Sequence, residues 1–246
     1  HCMPAAFQTD QESYALLSCT MVRLSHEHGN CPLSARAYGS FAALMSSALR
    51  DYGDAYRFAK LGVDLAHKLN ETSTLAGVYF LFAMFASHWV KPVDESIDLY
   101  QQAIRFGLQS GDHVHAGYSV ARRFSHMQVR GMALAELRQE GDAALEMLHR
   151  ISDAANCDFL EPRLGLIDWL RGERRYGNTL GTEARTEAEQ TAVIQARGNR
   201  SFEADWFMVL TIQRYYAEDF RGAYEFAKIA AGLQPFCAGF VTRVEH

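Results

Sequence analysis

The sequence of 246 residues has few of the features that mark a disulfide-bonded or zinc-binding protein. Its five cysteines are odd in number and widely spaced, and they form no CxxC pair. They are Cys2, Cys19, Cys31, Cys157 and Cys237. This pattern is typical of free thiols in a reducing compartment, so we expect a cytoplasmic protein without structural disulfides.

Charge and hydropathy argue against a nucleic-acid partner and against a membrane span. The formal net charge is −5 and no block of six like charges occurs, so the basic footprint of a nucleic-acid-binding protein is missing. The most apolar stretch, residues 75–90, has 16 residues and contains His88. A membrane-spanning helix needs about 20 residues, and the N-terminus lacks the order of a secretory signal. We expect no nucleic-acid partner and no membrane span.

Motifs for nucleotide binding and covalent catalysis are also missing. There is no GxxxxGK[ST], GxGxxG or GxSxG. The nearest glycine pair, Gly177 and Gly181, is followed by no lysine, and no strand pattern precedes it. Cys19 and Cys157 stand in apolar helical contexts without a positioned base, which favours small buried side chains over nucleophiles. The sequence therefore predicts no cofactor and no enzymatic activity.

Three groups of potential metal ligands have the wrong spacing or count. Histidines two positions apart occur at His26/His28 and at His113/His115. On a helix such residues point about 200° apart, so they cannot share one ion. Glu146 and His149 have the spacing of a di-iron ligand pair, but the second Glu-x-x-His that such a site needs is missing. We expect no metal site.

Hydrophobic periodicity predicts an all-α protein. Apolar residues recur at intervals of three and four, as Ile97, Tyr100, Ile104 and Leu108 do, and no stretch alternates convincingly. Prolines at positions 32, 92 and 162 are interpreted as helix starts. The predicted helices are 9–28, 33–50, 54–69, 73–90, 93–109, 113–131, 133–154, 159–172, 181–197, 202–217 and 220–233.

One amphipathic decamer occurs twice. DYGDAYRFAK at residues 51–60 and DFRGAYEFAK at residues 219–228 share six of ten letters, 168 positions apart. A third copy of the spacing of aromatic and small residues begins at Val93, 41 residues after Tyr52, and 168 is four intervals of 42. This register predicts a repeat of about 40 residues, each copy formed by two helices that must stack on their neighbours.

The register resembles the second helix of a tetratricopeptide repeat, with Pro235 closing the last copy. The resemblance implies a right-handed superhelix of antiparallel helix pairs, a tetratricopeptide-like α-solenoid, over a single domain of residues 1–246. Three segments also resemble the helical middle region of large multidomain signalling ATPases and serine-threonine or histidine kinases. They are YALLSCTMVRLSHEHGNCPLSARAYGSFA, DYGDAYRFAKLGVDLAHKL and FASHWVKPVDESIDLYQQAIRFGLQSGD.

This second resemblance covers residues 4–246 and implies a role in signal transduction of the two-component kind. In that family a kinase-like and a nucleotide-binding module usually precede the helical region, and GAF and histidine-kinase modules follow it. No catalytic residue carries over, because the chemistry belongs to those modules. We expect a piece of a longer protein, since the chain opens at His1 and ends at AGFVTRVEH.

A concave solenoid surface is the predicted partner-binding region. Extending the repeat register places on it Phe85, His88 and Trp89 in one copy, Arg122, His126 and Arg130 in the next, and Tyr215 and Tyr216 in the last. Aromatic residues and arginines are enriched at protein interfaces. The alternative for His88 and Trp89 is that they cover the core between repeats.

The leading hypothesis is therefore a non-catalytic scaffold or sensor segment that binds a protein or peptide, or that relays movement between a nucleotide-binding module and a kinase module. The alternative is an all-α enzyme or small-ligand receptor with its site inside the superhelix. We also expect self-association through the last helical pair, where Phe226, Ile229 and Leu233 are predicted to form a partly uncovered apolar face.

Overall fold

The protein is all-α in a computed structural model that describes residue 6, residues 10–173, residues 185–237 and residue 239. Within these ranges the chain forms eleven helices that pack on one another, and no strand. They are α1 (Gln11–His28), α2 (Pro32–Leu44, continued by a π-helical turn, Met45–Leu49), α3 (Tyr52–Lys68), α4 (Thr72–Val90), α5 (Val93–Ser110), α6 (His113–Val129), α7 (Leu134–Arg150), α8 (Ala154–Leu170), α9 (Glu187–Ala196), α10 (Arg200–Tyr216) and α11 (Phe220–Gly232). The predicted fold class is confirmed at this level.

The chain divides into two compact units. The first contains His1–Gly131 and Ala238–His246, and the second contains Met132–Cys237. Helices α1 to α6 therefore belong to the first unit and α7 to α11 to the second. The single repeat domain expected from the sequence stays a prediction. Cys2, Gly177, Gly181 and the first residues of the predicted helix 181–197 lie outside the described residues.

Aspartate caps set the starts of five helices. In each case the carboxylate accepts a hydrogen bond from the backbone N–H three residues later and satisfies one of the donors that a helix start leaves open. The caps are Asp10, Asp51, Asp112, Asp153 and Asp219. Because this interaction is local, helix starts with these caps can be predicted to within a few residues.

The predicted start of α8 at residue 159, based on Pro162 as a first-turn residue, is wrong. The helix begins five residues earlier, at Ala154, where the Asp153 carboxylate accepts a hydrogen bond from the backbone N–H of Asn156. Pro162 lies inside the helix and is buried. It has no N–H to donate within the helix, a loss that packing of the buried α8 face must offset.

Small residues let α2 and α3 approach closely in the first unit. Ala55 and Ala59 of α3 are fully buried, as the repeat register predicts. A Cβ atom added at Gly62 would lie 2.7 Å from the carbonyl oxygen of Ala35 in α2. The second copy of the register behaves in the same way, because Ser96 and Tyr100 of α5 are completely buried.

The second unit has a core of larger side chains with charged groups among them. Trp206 and Leu210 of α10 are almost fully buried. In the same interior the Arg163 guanidinium donates two hydrogen bonds to the Asp205 carboxylate, and it lies 4.2 Å from the centre of the Phe159 ring. Burying this pair is costly unless each charge keeps its partner.

One helix within the described ranges, α4, is long and apolar enough to cross a membrane by length and composition. Of its most apolar window, 61% is buried inside the structure.

Candidate functional site

The predicted partner-binding residues of the first unit are mostly interior. Phe85 in α4 and Arg122 and His126 in α6 are buried, so they do not lie on the accessible surface on which the prediction placed them. Helices α4 and α6 both pack against α5, and the ring of Tyr100 in α5 contacts that of His126. Arg130 is exposed and forms an ion pair with Asp94 at 3.0 Å.

His88, Trp89 and His126 meet in one group of rings, which we call the histidine cluster together with Tyr52 and Tyr100. The ring centres of His88 and His126 are 5.4 Å apart at an interplanar angle of 83°. Tyr100 contacts His126 edge to face at 5.0 Å, Trp89 lies 4.7 Å from His88, and Tyr52 stacks on Trp89 at 4.8 Å. The structure thus agrees with the alternative for His88 and Trp89, that they cover a core.

Hydrogen bonds to the backbone orient both imidazoles. Nδ1 of His88 is 3.2 Å from the carbonyl oxygen of Ala83, and Nδ1 of His126 is 3.0 Å from that of Arg122. A carbonyl only accepts, so each Nδ1 carries the proton and each Nε2 presents a lone pair. Both Nε2 atoms are buried, and neither has a hydrogen-bond partner among the residues that the structure describes.

Burial keeps both imidazoles neutral. It lowers the pKa of His88 from 6.5 to about 4. It also lowers the pKa of His126 to about 3, and the positive charge of Arg122 acts in the same direction. Two uncharged imidazoles can therefore share an interior that would not accept two imidazolium ions.

A π-helical turn positions His88. Residues Ala83–Ser87 of α4 are π-helical, and the bond from His88 to Ala83 spans five residues. Single π-turns inside α-helices occur often at functional sites. This turn was not predicted, because the apolar run from residue 75 to residue 90 has no local signal for it.

The predicted site residues of the second unit lie on the surface. Tyr215 and Tyr216 end α10, and Phe220 and Tyr224 follow on α11; all four are between 60% and 65% exposed. The ring of Tyr215 contacts those of Tyr216 at 5.9 Å and Phe220 at 5.7 Å. We call these four residues the aromatic patch. The two tyrosines of α10 are predicted site residues, whereas the two residues of α11 are not.

The face predicted for self-association is only partly open. Leu233 is buried, which corrects its predicted exposure. Phe226 is half-buried, stacks 6.0 Å from Phe207 of α10 and lies under the Arg214 guanidinium. Ile229 is exposed. Self-association through this pair stays a prediction.

The second unit also contains a narrow cleft between α8, α9 and α10, with a volume of only about 10 Å³. Two carboxylates line it, and both already have cationic partners. Asp158 accepts hydrogen bonds from Arg185 and Arg197, and Asp205 accepts from Arg163. Carboxylates neutralised in this way are poorly suited to act as a general base or to bind a cationic ligand.

The cysteines and the potential metal ligands are the remaining groups with reactive side chains. Cys19, Cys31, Cys157 and Cys237 are free thiols. Burial raises the pKa of Cys157 to about 11, so this thiol is protonated near neutral pH and is a poor nucleophile. Across the described ranges, no group of three or more His, Cys, Asp and Glu side chains is arranged to hold a metal ion.

Comparison with known proteins supports the fold alone. The chain matches no protein-family model and no curated protein. It is similar in structure to BtubC (BKLC) from P. vanneervenii, with a TM-score of 0.57 and 16% sequence identity over 98% of this chain and 96% of that chain. A likeness at this identity carries no function over.

Proposed function

We propose that the chain is a non-catalytic helical scaffold, a tetratricopeptide-like superhelix within a multidomain signalling protein, that binds a helical protein segment through the aromatic patch. The observation that carries the proposal is the exposure of the patch. Large aromatic side chains on a surface, close enough for their rings to touch, mark protein interaction sites.

The first copy of the decamer shows which side chains cover the equivalent surface there. Phe220 and Tyr224 occupy the same decamer positions as Tyr52 and Tyr56 of α3. In the first copy both aromatic residues are covered by the following helices. Trp89 stacks on Tyr52, Phe82 packs edge to face on Tyr56 at 5.0 Å, and the Tyr56 hydroxyl donates to Glu95 at 2.9 Å.

This arrangement indicates the chemistry of the partner. A helix that fits the patch would place an aromatic ring against Phe220 and a carboxylate within reach of the Tyr224 hydroxyl. The ring would supply most of the affinity by burying apolar area, and the carboxylate would fix the register of the bound helix. Recognition of a helix in this way is a common mode of peptide binding.

The probe for this proposal is a fluorescent peptide of residues 72–95, because this segment covers the equivalent positions of the first copy. We expect saturable binding to the full chain, measured by fluorescence anisotropy. Phe220→Ser combined with Tyr224→Ser should weaken binding at least tenfold, since a hot-spot side chain contributes about 2 kcal/mol or more.

Two controls make the result specific. A peptide with Trp89→Ala and Glu95→Ala should bind weakly to the unchanged chain. The variant Leu16→Ser removes an exposed apolar side chain from α1 in the first unit and should bind like the unchanged chain. Equal binding by the patch variant and the Leu16 variant would refute the proposal.

A further inference from the structure

The two unpartnered Nε2 atoms of the histidine cluster have the chemistry of metal ligands. A histidine that binds a metal almost always donates its other ring N–H to a carbonyl or carboxylate, which orients the ring and leaves the ligating lone pair free. His88 and His126 both have this arrangement, with Nδ1 on a backbone carbonyl. His126 is 1% exposed, so its Nε2 lone pair is removed from bulk solvent.

The separation of the rings fits a shared ion. An imidazole nitrogen binds a transition metal at about 2.0–2.1 Å, which places the ring centre roughly 3.2 Å from the ion. Two rings bound at angles between the tetrahedral and the trigonal value then have centres roughly 5.1–5.7 Å apart. The measured separation of 5.4 Å lies inside this range.

The surroundings select the kind of ion. Arg122 lies one helical turn before His126 on α6 and is itself buried, so its positive charge opposes any second cation. A singly charged ion loses less hydration on burial and meets half the repulsion that a doubly charged ion does. The thioether of Met84, which accepts a hydrogen bond from Tyr100 at 3.5 Å, adds a soft donor to the same group of side chains. Soft thioether ligands favour Cu(I), and imidazole also binds copper.

From these observations we infer that His88 and His126 bind one Cu(I) ion through their Nε2 atoms, with Met84 as a third ligand. The site would be separate from the aromatic patch and would not depend on the proposed scaffold function. Because the ion joins α4 to α6, its binding should stabilise the first unit against unfolding.

The test is competition for Cu(I) against a chromophoric chelator without oxygen, after the exposed thiols have been blocked with iodoacetamide. We expect the full chain to withdraw one Cu(I) per molecule. His88→Gln and His126→Gln should each weaken binding at least roughly tenfold, the loss seen for even the outer partners of metal ligands. Met84→Leu, which conserves volume, should have a smaller effect. His113→Gln changes an exposed histidine of α6 and is the matched control.

A nitrogen-15 spectrum of the histidine rings provides a second measurement that does not require the variants to fold. We expect both rings of the unchanged chain to carry the proton on Nδ1 and both Nε2 resonances to move on addition of Cu(I). Failure of the chain to compete with the chelator would overturn the inference. So would Nε2 resonances that stay in place, or equal copper binding by folded His88→Gln and His113→Gln variants.

Discussion

The decamers that begin at Asp51 and at Asp219 form the same local structure in two different settings. Each starts a helix, and in each the aspartate carboxylate accepts a hydrogen bond from the backbone N–H three residues later. Their surroundings differ. Tyr52 and Tyr56 of the first copy are half-buried under α4 and α5, whereas Phe220 and Tyr224 of the second copy are exposed.

The helices on which the two copies rest also differ. Helix α3 packs on α2, where alanines and glycines allow a close approach, and both Ala55 and Ala59 are completely buried. Helix α11 packs on α10, where the ring of Phe207 stacks on that of Phe226 at 6.0 Å. Ala227, the equivalent of Ala59, is only half-buried. A repeated decamer therefore specifies a helix and its start, but its packing depends on the neighbouring helices.

The largest loss of stability is expected from a substitution of a buried residue of α10, the helix on which the second copy of the decamer packs. Asp205→Ala should lower the free energy of unfolding by about 3–5 kcal/mol, because Arg163 would stay buried without this carboxylate. Urea denaturation is the measurement. The control is Asp54→Ala, which removes an exposed ion pair with Arg57 and should cost at most about 1 kcal/mol. If both variants lost a similar amount of stability, the buried ion pair would contribute no more than the exposed one.

Lowering the pH should destabilise the packing around the first copy of the decamer, because histidines are among the residues that cover it. The unfolded pKa of His88 is about 6.5 and the folded value is about 4, so the unfolded chain binds the proton first as the pH falls. Stability is therefore retained above pH 6.5 and lost progressively below it. Between pH 6.5 and pH 5 the loss should be about 2 kcal/mol, at about 1.4 kcal/mol for each pH unit.

His126 acts in the same direction, because its folded pKa of about 3 is also below its unfolded pKa. It should add a loss in the free energy of unfolding of similar size. Urea denaturation at both pH values measures the total. In His88→Gln the loss over this window should shrink by about half, because one of the two histidines no longer titrates. An unchanged pH dependence in that variant would mean that His88 is not neutral in the folded chain.

A larger side chain at the equivalent alanines of the two decamer copies should distinguish their packing most directly. Ala59→Leu should destabilise the protein by about 1–3 kcal/mol, since the added carbons have no room beside α2. Ala227→Leu introduces the same atoms at the equivalent, half-buried position and should change stability by at most about 0.5 kcal/mol. Thermal melts of the two variants make the comparison. Equal melting temperatures would mean that the burial of the two alanines does not differ in solution.

The smallest expected effect concerns one hydroxyl group. Tyr56→Phe removes the donor to Glu95 and should cost about 1 kcal/mol. Tyr224→Phe makes the same change at a hydroxyl with no hydrogen-bond partner among the described residues, and the free energy of unfolding should stay the same. Precise urea titrations of both variants are required. A loss for Tyr224→Phe as large as that for Tyr56→Phe would show that its hydroxyl is also bonded.

Much of the fold was predictable because its signals are local. The periodicity of apolar residues indicates helices such as α3 and α5, and the small residues of the repeat register indicate which side faces a neighbour. The start of α8 was mispredicted because Pro162 was interpreted as a first-turn residue, although Asp153 caps the helix nine residues before that proline. The π-turn at Ala83–Ser87 was missed because no residue type specifies it.

The candidate sites were predictable only in part. His88, Trp89 and His126 were selected for a surface, yet the structure brings them together in an interior. Their sequence positions cannot show this, because α5 separates α4 from α6 along the chain and the contact between these helices is tertiary. Tyr215 and Tyr216 were selected for a surface and lie on one, although their partner stays a prediction.

The sequence by itself therefore determined that the chain is helical, where most helices start, and that one decamer forms the same capped helix twice. These properties depend on residues within one or two turns of each other. Only the tertiary structure decided that Tyr52 lies beneath Trp89 while Phe220 faces solvent, and that the rings of His88 and His126 meet with their centres 5.4 Å apart. The physical reason is that burial depends on which helices pack against a face, and residues far apart in the chain decide that.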